Sequence, residues 1–183
     1  MKINLDKQKE IVSWEYCGKE IKILFPNLYS AELRDDNIVI ISTDGLKKNY
    51  IKMFFELTGE KILEVNLSTN NEGVFDGFFQ WEYGNKTYKR SIYCGQVNYY
   101  KNYDMILWLD RRKSELNCIK GITRNNEIKF ACSGPNNAQP LNLNYSSTVK
   151  PKISFWPVDK NKDSGWYYFN PDTLEYEFIC ITR

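Results

Sequence analysis

The sequence predicts an all-β protein, an antiparallel meander of repeated hairpins, and three observations predict it. Aromatic residues are 15% of the 183-residue chain, and Tyr, Phe and Trp favour the half-buried pleated faces of strands. A stretch near the N-terminus recurs further along without a gap. Short apolar or alternating runs are separated by Gly, Asn and Asp at the spacing of tight turns. Hydrophobic residues at 42% and charged residues at 26% make an ordinary globular balance. The length suits a single domain, residues 1–183, with a core of its own.

The recurrence organises the chain. Trp14-Glu15-Tyr16-Cys17-Gly18-Lys19-Glu20-Ile21-Lys22 matches Trp81-Glu82-Tyr83-Gly84-Asn85-Lys86-Thr87-Tyr88-Lys89. The same register carries Ile38-Val39-Ile40-Ile41 onto Met105-Ile106-Leu107-Trp108, and brings Thr58-Gly59-Glu60-Lys61-Ile62 near Asn125-Asn126-Glu127-Ile128-Lys129. The units are about 14–66 and 81–133. A partial third, about 141–183, is expected because Ile153-Ser154-Phe155-Trp156 resembles the second strand of each unit. Within it, Phe169 to Tyr176 resembles Phe55 to Ile62.

Each unit opens with a hairpin. Ile11–Tyr16 and Lys19–Phe25 flank Cys17-Gly18; Phe78–Tyr83 and Lys86–Tyr93 flank Gly84-Asn85, where glycine tolerates positive φ. A second hairpin pairs the Ile38 or Met105 strand with its follower. Further turns are expected at Asp44-Gly45, Asn125-Asn126, Asp163-Ser164-Gly165 and Pro171-Asp172. One segment reads two ways. Leu46, Tyr50, Met53, Phe54 and Leu57 fall at helical spacing with Gly59 as a cap, whereas Ile51, Met53, Phe55 and Leu57 alternate. Residues 49–57 are read as a strand, with one helix near 46–58 as the competitor.

A strand, a turn and then Phe55-Glu56-Leu57-Thr58-Gly59-Glu60-Lys61-Ile62-Leu63-Glu64-Val65 resembles the outer hairpin of β-propeller blades. The resemblance covers about half the chain and implies four-stranded sheets. Small propellers have at least four such blades, more than two units and part of a third supply. Propeller-like sheets, an open barrel and a sandwich all fit the length, and such folds host unrelated functions.

The chain contains no histidine, which removes Ser–His and Cys–His nucleophiles and histidine-bearing zinc sites. No phosphate loop, G-x-G-x-x-G or G-x-S-x-G is present. Paired carboxylates could still cleave glycosides, and Asp104, Asp110, Glu82 and Glu115 are available, but nothing in their order sets two across a cleft. Asp159-Lys160-Asn161-Lys162-Asp163-Ser164-Gly165 places oxygen ligands at alternate positions as calcium loops do. Its glycine comes one place late, two lysines intrude and no closing Glu follows, so a polar hairpin loop is expected. Five cysteines without a C-x-x-C pair make neither a disulfide framework nor a zinc site, and are read as buried free thiols. Arg111-Arg112-Lys113 reads as a solvated hairpin end.

Recognition therefore falls to aromatic residues. Gly165-Trp166-Tyr167-Tyr168-Phe169-Asn170 resembles one unit of the aromatic repeats of choline- and glycan-binding modules, which use several stacked units where this chain has one. Trp14 and Trp81 occupy matching positions and are assigned to the core. Trp108 and Trp156 align approximately, each in a second strand. The candidate binding residues are Trp108, Trp156, Trp166 and Tyr167, with no catalytic or metal-ligating residue and no cofactor.

A formal charge of +2 gives no electrostatic footprint for nucleic acid. The first ten residues carry five charges and no apolar run, and no stretch is long enough for a membrane span, so a cytoplasmic protein without membrane contact is expected. Richness in Lys, Asn, Ile and Tyr, whose codons are AT-rich, and scarcity of Ala suggest a low-GC bacterial source. The function these features favour is non-catalytic protein binding, in particular an immunity protein or antitoxin that blocks a cognate toxin. The competing function is a carbohydrate- or small-ligand-binding module using exposed aromatics.

Overall fold

The computed structural model describes residues 1–44, 48–69, 75–93, 95–111, 118–144, 150–156 and 164–181. Among them are seventeen strands, two short 3₁₀ turns and no α-helix. Their strand pairings are antiparallel between neighbours, in four sheets that do not close into a barrel. The chain divides into two compact units, Met1–Ser91 and Ile92–Arg183.

In the first unit, β1 (Ile3–Asp6), β2 (Ile11–Tyr16) and β3 (Lys19–Leu24) form a three-stranded sheet. Then β4 (Ser30–Leu33), β5 (Ile38–Ser42), β6 (Asn49–Glu56), β7 (Lys61–Thr69), β8 (Phe75–Tyr83) and β9 (Lys86–Tyr93) form a six-stranded meander. The segment with two readings is thus a strand, and no helix forms over its described residues; Ile40 opposite Phe54 and Ile41 opposite Met53 fix its register. Two-sided burial explains the misleading spacing: Phe55 joins Ile51, Met53 and Leu57 on the core face, while Lys52 and Phe54 are buried on the opposite face.

The core of this unit lies between the two sheets. Val12 and Trp14 of β2 meet Val39 and Ile41 of β5 and Phe55 of β6. Trp14 is 1% exposed, and its indole Nε1 donates to the Leu57 carbonyl at 2.7 Å. Buried Trp normally finds such a partner.

In the second unit, β10 (Val97–Tyr100), β11 (Met105–Leu109), β12 (Ile119–Thr123) and β13 (Ile128–Cys132) form one meander. The other is made by β14 (Pro140–Asn144), β15 (Lys152–Phe155), β16 (Gly165–Asn170) and β17 (Glu175–Ile181). They share a core in which Met105, Leu107 and Leu109 meet Ile153, Phe155 and Phe169. Gly121 has no Cβ because the Phe130 ring and the Met105 sulfur occupy that space.

The stretches β2–β7 and β8–β13 follow the same course at the offset that separates Trp14 from Trp81. The first turn has positive φ at Cys17 and Gly18, the second at Gly84 and Asn85, the backbone a two-residue hairpin demands. Gly59 and Asn126 both sit at positive φ, each donating from its amide three residues back, to Glu56 and Thr123. Asn37 and Asp104 do likewise to Arg34 and Lys101. The Thr43 amide bonds the Ile51 carbonyl, and the Asp110 amide bonds the Cys118 carbonyl. The bulge at Phe54/Phe55 returns at Gly121/Ile122. The third meander repeats the entry of the second: Trp156 donates to Gln139 as Leu109 donates to Gln96. Trp156 therefore matches Leu109, and Trp108 matches Phe155. The two tryptophans are one residue out of step and project to opposite faces.

Trp14→Ala is expected to lower stability by about 3–5 kcal/mol, the range for emptying a buried Trp site. Trp14→Phe should lower it by about 1 kcal/mol, mainly through the orphaned Leu57 carbonyl. Urea midpoints at constant m-value measure both.

Candidate binding surface

The sheet β14–β17 buries one face and presents the other. Along β16, Gly165 and Phe169 are buried and Tyr167 packs on the same core, so Trp166, Tyr168 and Asn170 project outward. Strand pairing sets Lys152 beside Tyr168 and Ser154 beside Trp166 on one flank. On the other flank Glu175 lies beside Asn170, Glu177 beside Tyr168 and Cys180 beside Trp166. The outer face thus reads lysine, aromatic, glutamate across three strands.

Its contacts are open ones. Lys152 Nζ lies 5.2 Å from the Trp166 ring centre, within cation–π range. Lys150 Nζ reaches Glu177 Oε2 at 3.3 Å, an exposed pair that contributes little. Lys150, Tyr168, Asn170, Glu175, Tyr176 and Glu177 line a cleft of about 340 Å³. Trp156 continues the alternation of Lys152 and Ser154 and is 58% exposed, although Ser154, beneath the neighbouring side chains, and Phe155 on the core side are each 1% exposed.

The four aromatic residues singled out in the sequence do not form one cluster. Trp156 and Trp166 share the outer face. Tyr167 points the other way, edge-on to Phe155 at 5.5 Å and to Phe178 at 5.3 Å. Trp108 is 7% exposed in β11. Tyr168 and the flanking lysines and glutamates were not singled out, although period-two alternation from Trp166 points to Tyr168 rather than to Tyr167.

The carboxylates read from the sequence are scattered. Asp104 accepts from the Tyr99 hydroxyl and from Arg124 Nε, each at 2.9 Å. Asp110 is 1% exposed with Lys120 Nζ at 3.3 Å. Glu82 is exposed on β8. Glu115, the Asp159–Asp163 loop, Arg112 and Lys113 lie outside the described residues, while Arg111 donates to the Leu141 carbonyl. The cysteines correct the expectation of uniform burial. Cys118 is buried and Cys132 half-buried, both with thiols pushed up in pKa chiefly by burial, but Cys17 and Cys180 are exposed; Cys94 lies outside the described residues. Cys132 contacts the Tyr176 hydroxyl, which donates to the Ser133 carbonyl. Among the described residues no three His, Cys, Asp or Glu side chains could hold a metal, and no helix is long and apolar enough to cross a membrane.

A second polar group sits in the first unit on the face of β4–β6 away from Trp14. Ser30 and Ser42 hydroxyls lie 2.8 Å apart, and the Tyr50 hydroxyl joins Ser42. Arg34 grips Asp36 with two bonds of 2.8 and 2.7 Å, both side chains 3% exposed. Lys52, opposite Ser42 and 7% exposed, has its pKa lowered from 10.5 to about 7. Burial is the main cause; Arg34 adds to it, and the Glu32 carboxylate opposes it.

Comparison with models of protein families, with curated proteins and with solved structures finds no match to this chain. The surface itself must carry the functional reading.

Lys52 has a consequence for stability against pH. Below about pH 7 folded and unfolded chains both carry its proton, and the burial penalty is fully felt. Between about 7 and 10.5 the unfolded chain holds a proton that the folded chain has shed, so this residue makes stability rise with pH over that window. Lys52→Met should flatten the rise. Urea midpoints of both proteins across the window measure it, and parallel curves would contradict it.

Proposed function

We propose that the chain is a non-catalytic protein-binding domain whose contact surface is the outer face of β14–β17. The observation that carries this reading is Trp156, 58% exposed on the same face as Trp166. A large aromatic side chain held outside the core adds nothing to folding, yet Trp leads the residues that dominate interface energies. Lys152 on one side and Glu175 and Glu177 on the other supply the polar rim that such interfaces have. Absence of histidine from the sequence supports a binding role over the commonest catalytic chemistries.

Within this class the reading is an antitoxin or immunity protein of a bacterial cytoplasm, holding its toxin through that face. The product of the adjoining gene, co-expressed with the full chain, is the first partner to test. The expected result is a complex that survives purification, with Trp156→Ala and Trp166→Ala each weakening it by about tenfold or more. The melting temperature of Trp156→Ala should match the parent, since the side chain is exposed. A complex indifferent to both substitutions contradicts the reading.

A carbohydrate-binding role is the second reading, favoured by the 340 Å³ cleft beside Tyr168 and by the Asn170 amide in its wall. It requires that soluble glycans change the tryptophan fluorescence and that Tyr168→Ala abolish the change.

A further inference from the structure

A sheet edge offers unpaired amides and carbonyls to any passing strand, and proteins guard their edges with lysine, proline or shortness. Among the described residues the four sheets end in eight edge strands. Three of them, β1, β4 and β10, have only four residues each. Of the longer ones, β3 carries Lys19 and Lys22, β9 carries Lys86, Lys89 and Arg90, β13 carries Lys129 and β14 carries Pro140. The exception is β17. It has seven residues, Glu-Tyr-Glu-Phe-Ile-Cys-Ile, with no Lys, Arg or Pro. Its guards are Glu175, Glu177 and a bulge opposite Trp166/Tyr167, which leaves Glu175–Phe178 in regular register with Asn170–Tyr167.

Those four residues have two distinct sides. Glu175 and Glu177 project to the outer face, both exposed. Tyr176 and Phe178 project to the core side, where Phe178 touches Tyr167 edge-on yet stays 55% exposed. The core layer thus runs past the last strand of its sheet. A second copy of this chain is a poor occupant. Antiparallel pairing of the same four residues, outer face to outer face, sets Glu175 opposite the second copy's Glu177, and like charges directly opposite destabilise a pair.

We infer that the β17 edge at Glu175–Phe178 docks an extended segment of a partner protein, with Lys or Arg at alternate positions facing Glu175 and Glu177, and apolar residues between them covering Tyr176 and Phe178. Backbone bonds supply affinity in such strand addition, and the alternating side chains supply selection. The assignment rests on the protein-binding reading above.

A short peptide of alternating lysine and valine is the probe, added to the isotope-labelled full chain. Expected are slowed hydrogen exchange at β17 amides and binding about tenfold or more tighter than that of the glutamate–valine peptide. The double variant Glu175→Lys, Glu177→Lys should reverse the preference, and methylating alternate peptide nitrogens should abolish binding, which mere charge attraction would not require. Absence of β17 protection, or equal binding of the methylated peptide, overturns the inference. A partner complex lost in Trp156→Ala but intact in the double variant also overturns the edge while leaving the binding reading standing. Absence of any partner complex, together with absence of peptide binding, overturns both.

Discussion

The structure depends on burying β5 and β11 on both faces. All five residues of each are buried, from Ile38 to Ser42 and from Met105 to Leu109. A strand with water on one side alternates apolar and polar residues; a continuous apolar run has no polar side to give away. Such a strand needs partners along both edges, so that its amides and carbonyls are bonded, and layers above and below. The flanking strands β4 and β6, or β10 and β12, meet the first need. Trp14 and Val12 against Val39 and Ile41 supply the layer on one face of β5, and Ile153 and Phe155 against Leu107 and Leu109 supply it on one face of β11; Ile38, Ile40, Ile106 and Trp108 are buried on the other.

The third meander departs from that rule, and the departure creates the surface. Its second strand buries Ile153 and Phe155 but offers Lys152 and Trp156 on the other side. On that other side Lys152 is half-buried, Ser154 is buried and Trp156, just past the strand, is exposed. Tyr168 and Trp166 stand in the middle of that face, with Lys152 on the neighbouring strand and Glu175 and Glu177 on the edge strand. The free edge at β17 belongs to the same sheet, so face and edge lie within reach of one partner.

Much of the fold was legible in the sequence because tight turns constrain residue type. Cys17-Gly18 and Gly84-Asn85 lie at positive φ, and Gly59 and Asn126 end the later hairpins in the same manner. Pattern at Ile38–Ile41 was equally plain, since four apolar residues in a row leave little choice. Segment 49–57 was ambiguous for a physical reason: both of its faces bury residues, Phe55 on one and Lys52 and Phe54 on the other, which erases the polar side. The binding face was less legible. Trp166 and Tyr167 are neighbours in sequence and lie on opposite sides of a strand, and Trp108 and Trp156 looked equivalent until hydrogen bonding fixed the slip. Exposure depends on which layer lies opposite, which no local pattern records. The turn expected at Asp163-Ser164-Gly165 begins outside the described residues, and its Gly165 opens β16, paired with Phe155 and Ile181.

Native-state hydrogen exchange tests the central claim most directly. If two-sided burial of β5 and β11 holds the fold together, the amides of Ile38–Ser42 and Met105–Leu109 exchange only through global unfolding, more slowly than those of the edge strands β3 and β9. Exchange at β5 and β11 as fast as at the edges would contradict the account.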